Sequence, residues 1–219
     1  MRLADKIATM ARRGAPLPYD AEVEWIASTD LGGQFIDTGI YDLPYYDVEV
    51  GFMRTTLSHR LNAVVFGARD DNSVKDMSVF FTDLNESRII CRISELIGKT
   101  VEMDVHAAFN TRCVVNLSNN YMSYECGDEF QESHFSVGKF RTSKPITIFK
   151  LNGTTWSLLG IKFIYLVAKN GNDVIYDFIP VRVGNEGCLF ERVSCQLFRN
   201  SGTGAFIVGP DVVSAGGGY

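Results

Sequence analysis

The chain has 219 residues, of which 46 % are hydrophobic and 21 % charged; this is too apolar for a disordered chain and fits the roughly 200–250 residues that one all-β sandwich can occupy. Its net charge of −5 arises from acids and bases mixed along the sequence, so no broad basic surface is available for a phosphate backbone and nucleic acid is excluded as a partner. The longest apolar runs, such as 161–168 with Lys162 inside it, fall far short of the roughly 20 residues a spanning helix requires, so no membrane span is expected.

Residues 1–14 carry Arg2, Lys6, Arg12 and Arg13, and place Leu3, Ile7 and Met10 near helical spacing before Gly14, Pro16 and Pro18 break the pattern. They predict a short N-terminal arm with helical character, read either as a frayed terminus or as a docking segment. A secretion signal would need an uninterrupted apolar stretch of about 7–15 residues, which this segment lacks. The five cysteines, Cys91, Cys113, Cys126, Cys188 and Cys195, are odd in number and without Cys-x-x-Cys spacing, so reduced thiols and synthesis in a cytoplasm are expected, not a disulfide framework or a zinc site.

From Tyr19 onward the periodicity becomes two. Tyr46, Val48, Val50 and Phe52 share one face while Asp47, Glu49 and Gly51 take the other. The alternation returns in Val101, Met103, Val105 and Ala107 against Thr100, Glu102, Asp104 and His106, and again in Val174, Tyr176 and Phe178. Further strands are predicted at 61–68, 77–82, 88–93, 112–117, 146–150, 161–168 and 205–208. Asn152-Gly153 and Asn170-Gly171 lie between apolar runs and predict type I′ hairpin turns. With helical signals weak throughout this span, the pattern predicts two stacked antiparallel sheets and no parallel βαβ units.

Two stretches carry a family resemblance: AEVEWIASTD at 21–30 followed by QFIDTGI at 34–40, and a closing block that runs DFIPVRVGNEG at 177–187, FERVS at 190–194, LFRNSGTG at 197–204 and GPD at 209–211. They resemble a family of concanavalin A-like lectin/glucanase (jelly-roll) domains found in phages, prophages and gut bacteria, whose members begin near EYIESTGTQYIDTG and end near DFIPVRxGxxGxxYDxVSGxLFxNxGTGxFxxGPD. The resemblance implies one β-sandwich over 15–211, with an arm at 1–14 and a Gly-rich tail at 212–219, in which the first and last strands lie close together and Phe178, Ile179 and Val181 pack inside the sandwich. Gly184, Gly187, Gly202 and Gly204 read as tight turns. The chain departs from the pattern at Cys195, where the family usually has Gly, and at Cys188, where a larger residue often sits.

The one enzyme-like string is Glu102-Met103-Asp104-Val105, which resembles part of the Glu-x-Asp-x-x-Glu of glucanases with this fold. The third acid is missing; His106 follows on the same face, where a retaining glycosidase would want a second carboxyl about 5–5.5 Å from its nucleophile. A solvated polar strand face is the ordinary reading of Glu102, Asp104 and His106. No Ser or Cys stands in a nucleophile elbow with His59, His106 or His134. Asp70-Asp71-Asn72 and Asp128-Glu129 could offer oxygen ligands to calcium but lack EF-hand spacing and read as turns, so no metal, Ca2+ included, and no cofactor is indicated. Tyr121, Tyr124, Trp156, Asn119 and Asn120 could form an aromatic and amide surface for sugar hydroxyls, or pack as core.

These observations lead to a non-catalytic structural or adhesion protein of a phage or prophage virion, such as a head fibre, tail fibre or decoration subunit. Its arm would dock to other virion proteins, its subunits would form a homo-oligomer, and its sandwich would meet a host-surface glycan. The alternative is a bacterial carbohydrate-binding, lectin-like module; a degenerate glycoside hydrolase using Glu102 and Asp104 is the third reading.

Overall fold

The computed structural model describes residues 17–28, 33–55, 63–70, 75–81, 88–95, 100–106, 108–152 and 160–212. The predicted arm at 1–14 and the tail beyond Val212 lie outside the described residues. In chain order the strands are β1 (Ala21–Glu22), β2 (Ile26–Ala27), β3 (Ile36–Asp37), β4 (Asp47–Arg54), β5 (Ala63–Arg69), β6 (Asp76–Phe81), β7 (Arg88–Ser94), β8 (Thr100–His106) and β9 (Arg112–Leu117). They continue with β10 (Tyr121–Cys126), β11 (Glu129–His134), β12 (Thr147–Ile148), β13 (Ile161–Asn170), β14 (Asp173–Val183), β15 (Glu186–Glu191), β16 (Gln196–Phe198) and β17 (Ile207–Val208). One 3-10 turn, Leu43–Tyr45, leads into β4.

The strands form two antiparallel sheets stacked as a jelly-roll sandwich. The larger runs β11-β10-β9-β4-β13-β14-β15-β16 and also holds β1, β2 and β17, while the smaller runs β3-β12-β5-β6-β7-β8. The alternation read from the sequence explains the stacking. Val48, Val50 and Phe52 of β4, with Phe163 and Leu166 of β13, face Val65, Phe66, Met77, Val79, Ile89, Cys91 and Ile93 of the smaller sheet in one buried cluster. Each fully buried side chain of this size contributes about 1.5–3 kcal/mol by leaving water, so this interior, and not strand propensity, fixes the register.

The two ends of the chain complete the larger sheet together. β13 and β14 pair only where Leu166–Asn170 meets Asp173–Phe178. Where they part, β2 pairs with Lys162 and Phe163 of β13, and β1 pairs with Val181 and Arg182 of β14. β17 then pairs with β2, and Val23 bridges Asp211. The expected proximity of the first and last strands is therefore realised as direct hydrogen bonding.

Several details differ from the sequence reading. The hairpin between β13 and β14 turns on Gly171-Asn172, not on Asn170-Gly171, and only Gly171 takes a positive φ, +60°. That is the signature of a II′ turn, with Gly first, in place of the predicted I′. Gly127-Asp128 and Gly184-Asn185 repeat it between β10 and β11 and between β14 and β15, with φ of +62° and +58° at the glycines. Gly187 and Gly202, read as turn glycines, instead allow close approach: a side chain at Gly202 would collide with the carbonyl of Gly33.

The predicted strand 146–150 shrinks to β12 because Phe149 has φ +66°. This costly conformation for a bulky residue ends the strand and packs the ring against Phe163 and Phe206 in the core. Ile179 and Val181 do not enter the sandwich. They face outward and form a separate cluster with Cys188 and Phe190, against which Tyr19 packs; Phe178 alone of the three joins the main core. Cys195, at the position where the resembled family carries Gly, has φ +60°, so the backbone there has kept the conformation that suits glycine.

Candidate functional site

The sequence-predicted residues scatter over three places. Glu102, Asp104 and His106 are exposed on the outer face of the smaller sheet, as their alternation requires. Both acids are taken up by cross-strand arginines of β7: Arg92 Nε donates to Glu102 Oε1 at 2.6 Å, and Arg88 Nε to Asp104 Oδ1 at 3.0 Å. One strand further in, Asp76 is almost wholly buried, accepting from Arg69 Nε at 2.6 Å and from the Ser78 hydroxyl at 2.6 Å, with Arg92 Nη1 at 3.5 Å. The Arg69 and Arg92 guanidinium groups also lie over the Phe80 ring. This face is a ladder of mutually neutralised charges and not a cleft with two opposed carboxyls.

The proposed glycan platform at residues 119–124 does not form as a unit. Tyr124 is corrected from surface aromatic to core: it is 1 % exposed and donates its hydroxyl to the His106 carbonyl at 2.6 Å. The reason is parity, since Met122, Tyr124 and Cys126 share the inward face of β10. Asn119 and Asn120 form the turn between β9 and β10, and their carbonyls accept from the backbones of Val137 and Phe135. Asn120 and Tyr121 do line one hollow of about 320 Å³ with Asp47, Glu49, Asn116 and Lys169, but the Tyr121 hydroxyl is bonded to Glu132 and its ring leans on His134. Trp156 lies outside the described residues. Of the calcium candidates, Asp70 accepts from the Ser143 backbone and hydroxyl, and Asp128 sits in the turn after Gly127. Among the described residues no group of three or more His, Cys, Asp and Glu is arranged to hold a metal ion.

A larger groove, about 520 Å³, opens on the outer face of the larger sheet where β1, β4, β13 and β14 converge. Its sides are Trp25, Tyr165, Met53, Ile164, Ile179 and Pro180, and its polar groups are Glu22, Glu24, Arg112, Asp177 and Arg192. Sequence reasoning missed this site. The available signal was that Glu22, Glu24 and Trp25 belong to the opening motif and Asp177 and Arg192 to the closing one, so the two recognisable blocks meet here.

Both aromatic rings are seated on glycine. A Cβ at Gly51 would lie 2.3 Å from the Tyr165 ring, and one at Gly209 would lie 2.8 Å from the Trp25 indole. The bare backbone thus lets each ring lie flat on the sheet. Each ring also carries a cation: Lys162 Nζ is 4.1 Å from the centre of Trp25, and the Arg112 guanidinium 5.2 Å from that of Tyr165. The Tyr165 hydroxyl donates to Glu49 at 2.7 Å, which fixes the ring's rotation.

Asp177 is the deepest polar group. It is 4 % exposed. Its Oδ2 accepts from Arg192 Nε at 2.9 Å and Nη2 at 2.8 Å, its backbone N–H donates to Glu191 Oε1 at 2.8 Å, and its carbonyl accepts from the Arg192 N–H at 2.9 Å. Its Oδ1 is buried with no hydrogen-bond partner among the described residues. Burial raises the Asp177 carboxyl above the ordinary aspartate range; Arg192 opposes this, and the charges of Glu191 and Glu22 add to it.

No family model matches the chain, and no curated protein sequence matches it. Among solved structures, similarity extends to domains LG4-5 of the mouse laminin alpha1 chain, with a TM-score of 0.47 and 10 % identity over 72 % of this chain and 44 % of that one. The chain therefore spans under half the length of that relative. A further similar structure is the CBM40 of the Ruminococcus gnavus IT-sialidase bound to alpha2,3 sialyllactose, with a TM-score of 0.49 and 12 % identity over 69 % of this chain and 91 % of that one. The heptameric SAP-like pentraxin of Limulus polyphemus gives a TM-score of 0.43 and 9 % identity over 68 % and 76 %. No helix among the described residues is long and apolar enough to cross a membrane.

Proposed function

We propose that the chain is a non-catalytic recognition domain that binds glycan in the groove between Trp25 and Tyr165. The observation that carries this reading is the groove's composition: two glycine-seated aromatic rings beside carboxylate and guanidinium groups. Such a site offers an apolar surface to the C–H face of a sugar ring and fixed polar groups to its hydroxyls. Glu102 and Asp104 each pair with an arginine on an exposed strand face and not across a cleft, which supports a non-catalytic reading of that face. A glycan array probed with the wild type and with Trp25→Ala tests the reading. Binding by the wild type that falls about tenfold or more in the variant supports it; an empty array ends it.

The setting we propose is a phage or prophage particle, on the strength of the terminal motifs, with residues 1–14 docking the domain to other virion proteins and the sandwich presented outward as a homo-oligomer. Light scattering on the full chain and on a chain beginning at Pro16 separates this from a free-standing bacterial carbohydrate-binding module. A defined oligomer lost on truncation supports the particle role, whereas two identical monomers favour the module.

A further inference from the structure

Two of the five cysteines are direct neighbours across a strand pair. Cys113, near the start of β9, and Cys126, at the end of β10, stand 13 positions apart in sequence and face each other in register. Among the described residues no other cysteine has one opposite it: Cys91 lies between Val79 and Met103 in the smaller sheet, Cys188 faces Val181, and Cys195 lies in the turn after β15.

The kind of pairing decides what the two sulfurs can do. The β10–β11 hairpin turns on Gly127-Asp128, so Cys126 spends its backbone groups on Glu129, and at the other end of β10 the Ser118 N–H donates to the Tyr121 carbonyl. Alternation from either end makes Cys113–Cys126 a non-hydrogen-bonded pair. Such pairs hold their Cα atoms about 4.5 Å apart, inside the roughly 4.4–6.8 Å that a disulfide spans. Both side chains take the inward face, at 0 % and 2 % exposure, and the Tyr124 hydroxyl lies 3.4 Å from Cys113 Sγ. Burial pushes the Cys113 thiol up, and Cys126 beside it adds to the effect, so the folded pair holds little thiolate and exchanges slowly.

We propose that Cys113 and Cys126 are a cystine site, open under reducing conditions and closed by a small-molecule disulfide under oxidising ones. An odd cysteine count rules out complete pairing, not a single bridge. In the exchange one cysteine thiolate attacks a sulfur of glutathione disulfide and expels one glutathione thiolate; the second cysteine then attacks the mixed disulfide and expels the other. Two protein thiols are oxidised, one glutathione disulfide is reduced, and the two released thiolates take up the protons the cysteines gave. Because both sulfurs are buried in the folded chain, closure takes place while the outer hairpin forms or opens locally. β10 and β11 are the outermost strands at one edge of the larger sheet, and the bridge ties them covalently to β9. The inference is independent of the glycan reading.

The test incubates the full chain, reduced at the start, below its melting temperature in a glutathione buffer rich in the disulfide, then unfolds it, alkylates the free thiols and maps the peptides by mass. The expected result is a cross-linked peptide joining Cys113 to Cys126, lost again with dithiothreitol. Recovery of both cysteines as thiols or as glutathione adducts, or a bridge that maps to Cys91, Cys188 or Cys195, overturns the proposal on the wild type alone, so a variant that fails to fold cannot shield it. The bridged chain should also melt about 5 °C or more above the same chain treated with dithiothreitol, and this shift should vanish in Cys126→Ser. An equal or lower midpoint in the bridged wild type, or a shift that survives in the variant, overturns the bridge as a staple of the sheet edge.

Discussion

The outer faces of the two sheets both carry acids and arginines, yet they solve the problem of buried charge in opposite ways. On the smaller sheet Asp76 is nearly inaccessible and its carboxylate is surrounded by Arg69, Arg92 and the Ser78 hydroxyl. On the larger sheet Asp177 is equally buried but has donors on one oxygen only. Both oxygens of Asp76 have donors, so its carboxylate is held by the architecture itself. Asp177 instead keeps one buried oxygen, Oδ1, without a hydrogen-bond partner among the described residues. Strand patterning cannot tell the two apart, because both are acids at alternate positions of a strand.

The largest expected effect breaks the closed network. Asp76→Ala leaves the buried Arg69 without its carboxylate and should cost about 3–5 kcal/mol, read as a lowered denaturant midpoint at constant slope. An effect under about 1 kcal/mol would mean the ladder is ornament and the contrast false. Next comes the seat of the groove: Gly51→Ala drives a methyl group into the Tyr165 ring and should cost about 1–3 kcal/mol, with glycan binding lost alongside.

Asp177→Asn should fall well short of Asp76→Ala in stability, because it removes charge from a residue that the fold penalises for carrying it. The sign can be followed with pH. A carboxyl raised in the folded state contributes fully below the unfolded aspartate pKa, about 3.9, and that contribution is lost as pH rises through the folded value. The wild type should therefore lose stability relative to Asp177→Asn across that window on the way to neutral pH; a loss in the opposite direction would place Asp177 among the satisfied ion pairs. The smallest effect is Glu102→Gln, an exposed partner of Arg92, which should change stability by less than about 1 kcal/mol and leave any measured glycan binding intact.

How much of this was legible differs from residue to residue. The inward parity of Val48, Val50 and Phe52, and the outward parity of Glu102, Asp104 and His106, follow from period-two alternation and hold in the structure. Strands β10 and β11 were missed because MSYEC and EFQESH mix sizes and charges without clean alternation, and β11 is an edge strand exposed on both sides. Tyr124 was offered as a surface ring because it stands between Ser123 and Glu125, close to Asn119 and Asn120, whereas its side chain points inward from the larger sheet and its hydroxyl finds the His106 carbonyl on β8 of the smaller one. Trp25 and Tyr165 gave no sign in their own neighbourhoods, since what distinguishes them is the glycine beneath each ring, 184 residues away for Trp25 and 114 for Tyr165.

By itself the sequence determined that this chain folds as an antiparallel all-β sandwich, because period-two alternation is a local property written in order along the chain, and its terminal motifs implied that the first and last strands lie close together. Only the tertiary structure decided how each buried acid is held. Whether a carboxylate is satisfied depends on donors that strand pairing brings across from other parts of the chain: Arg192 reaches Asp177 across the β14–β15 hairpin and Arg69 reaches Asp76 across β5–β6, and no spacing in the sequence records what is left over.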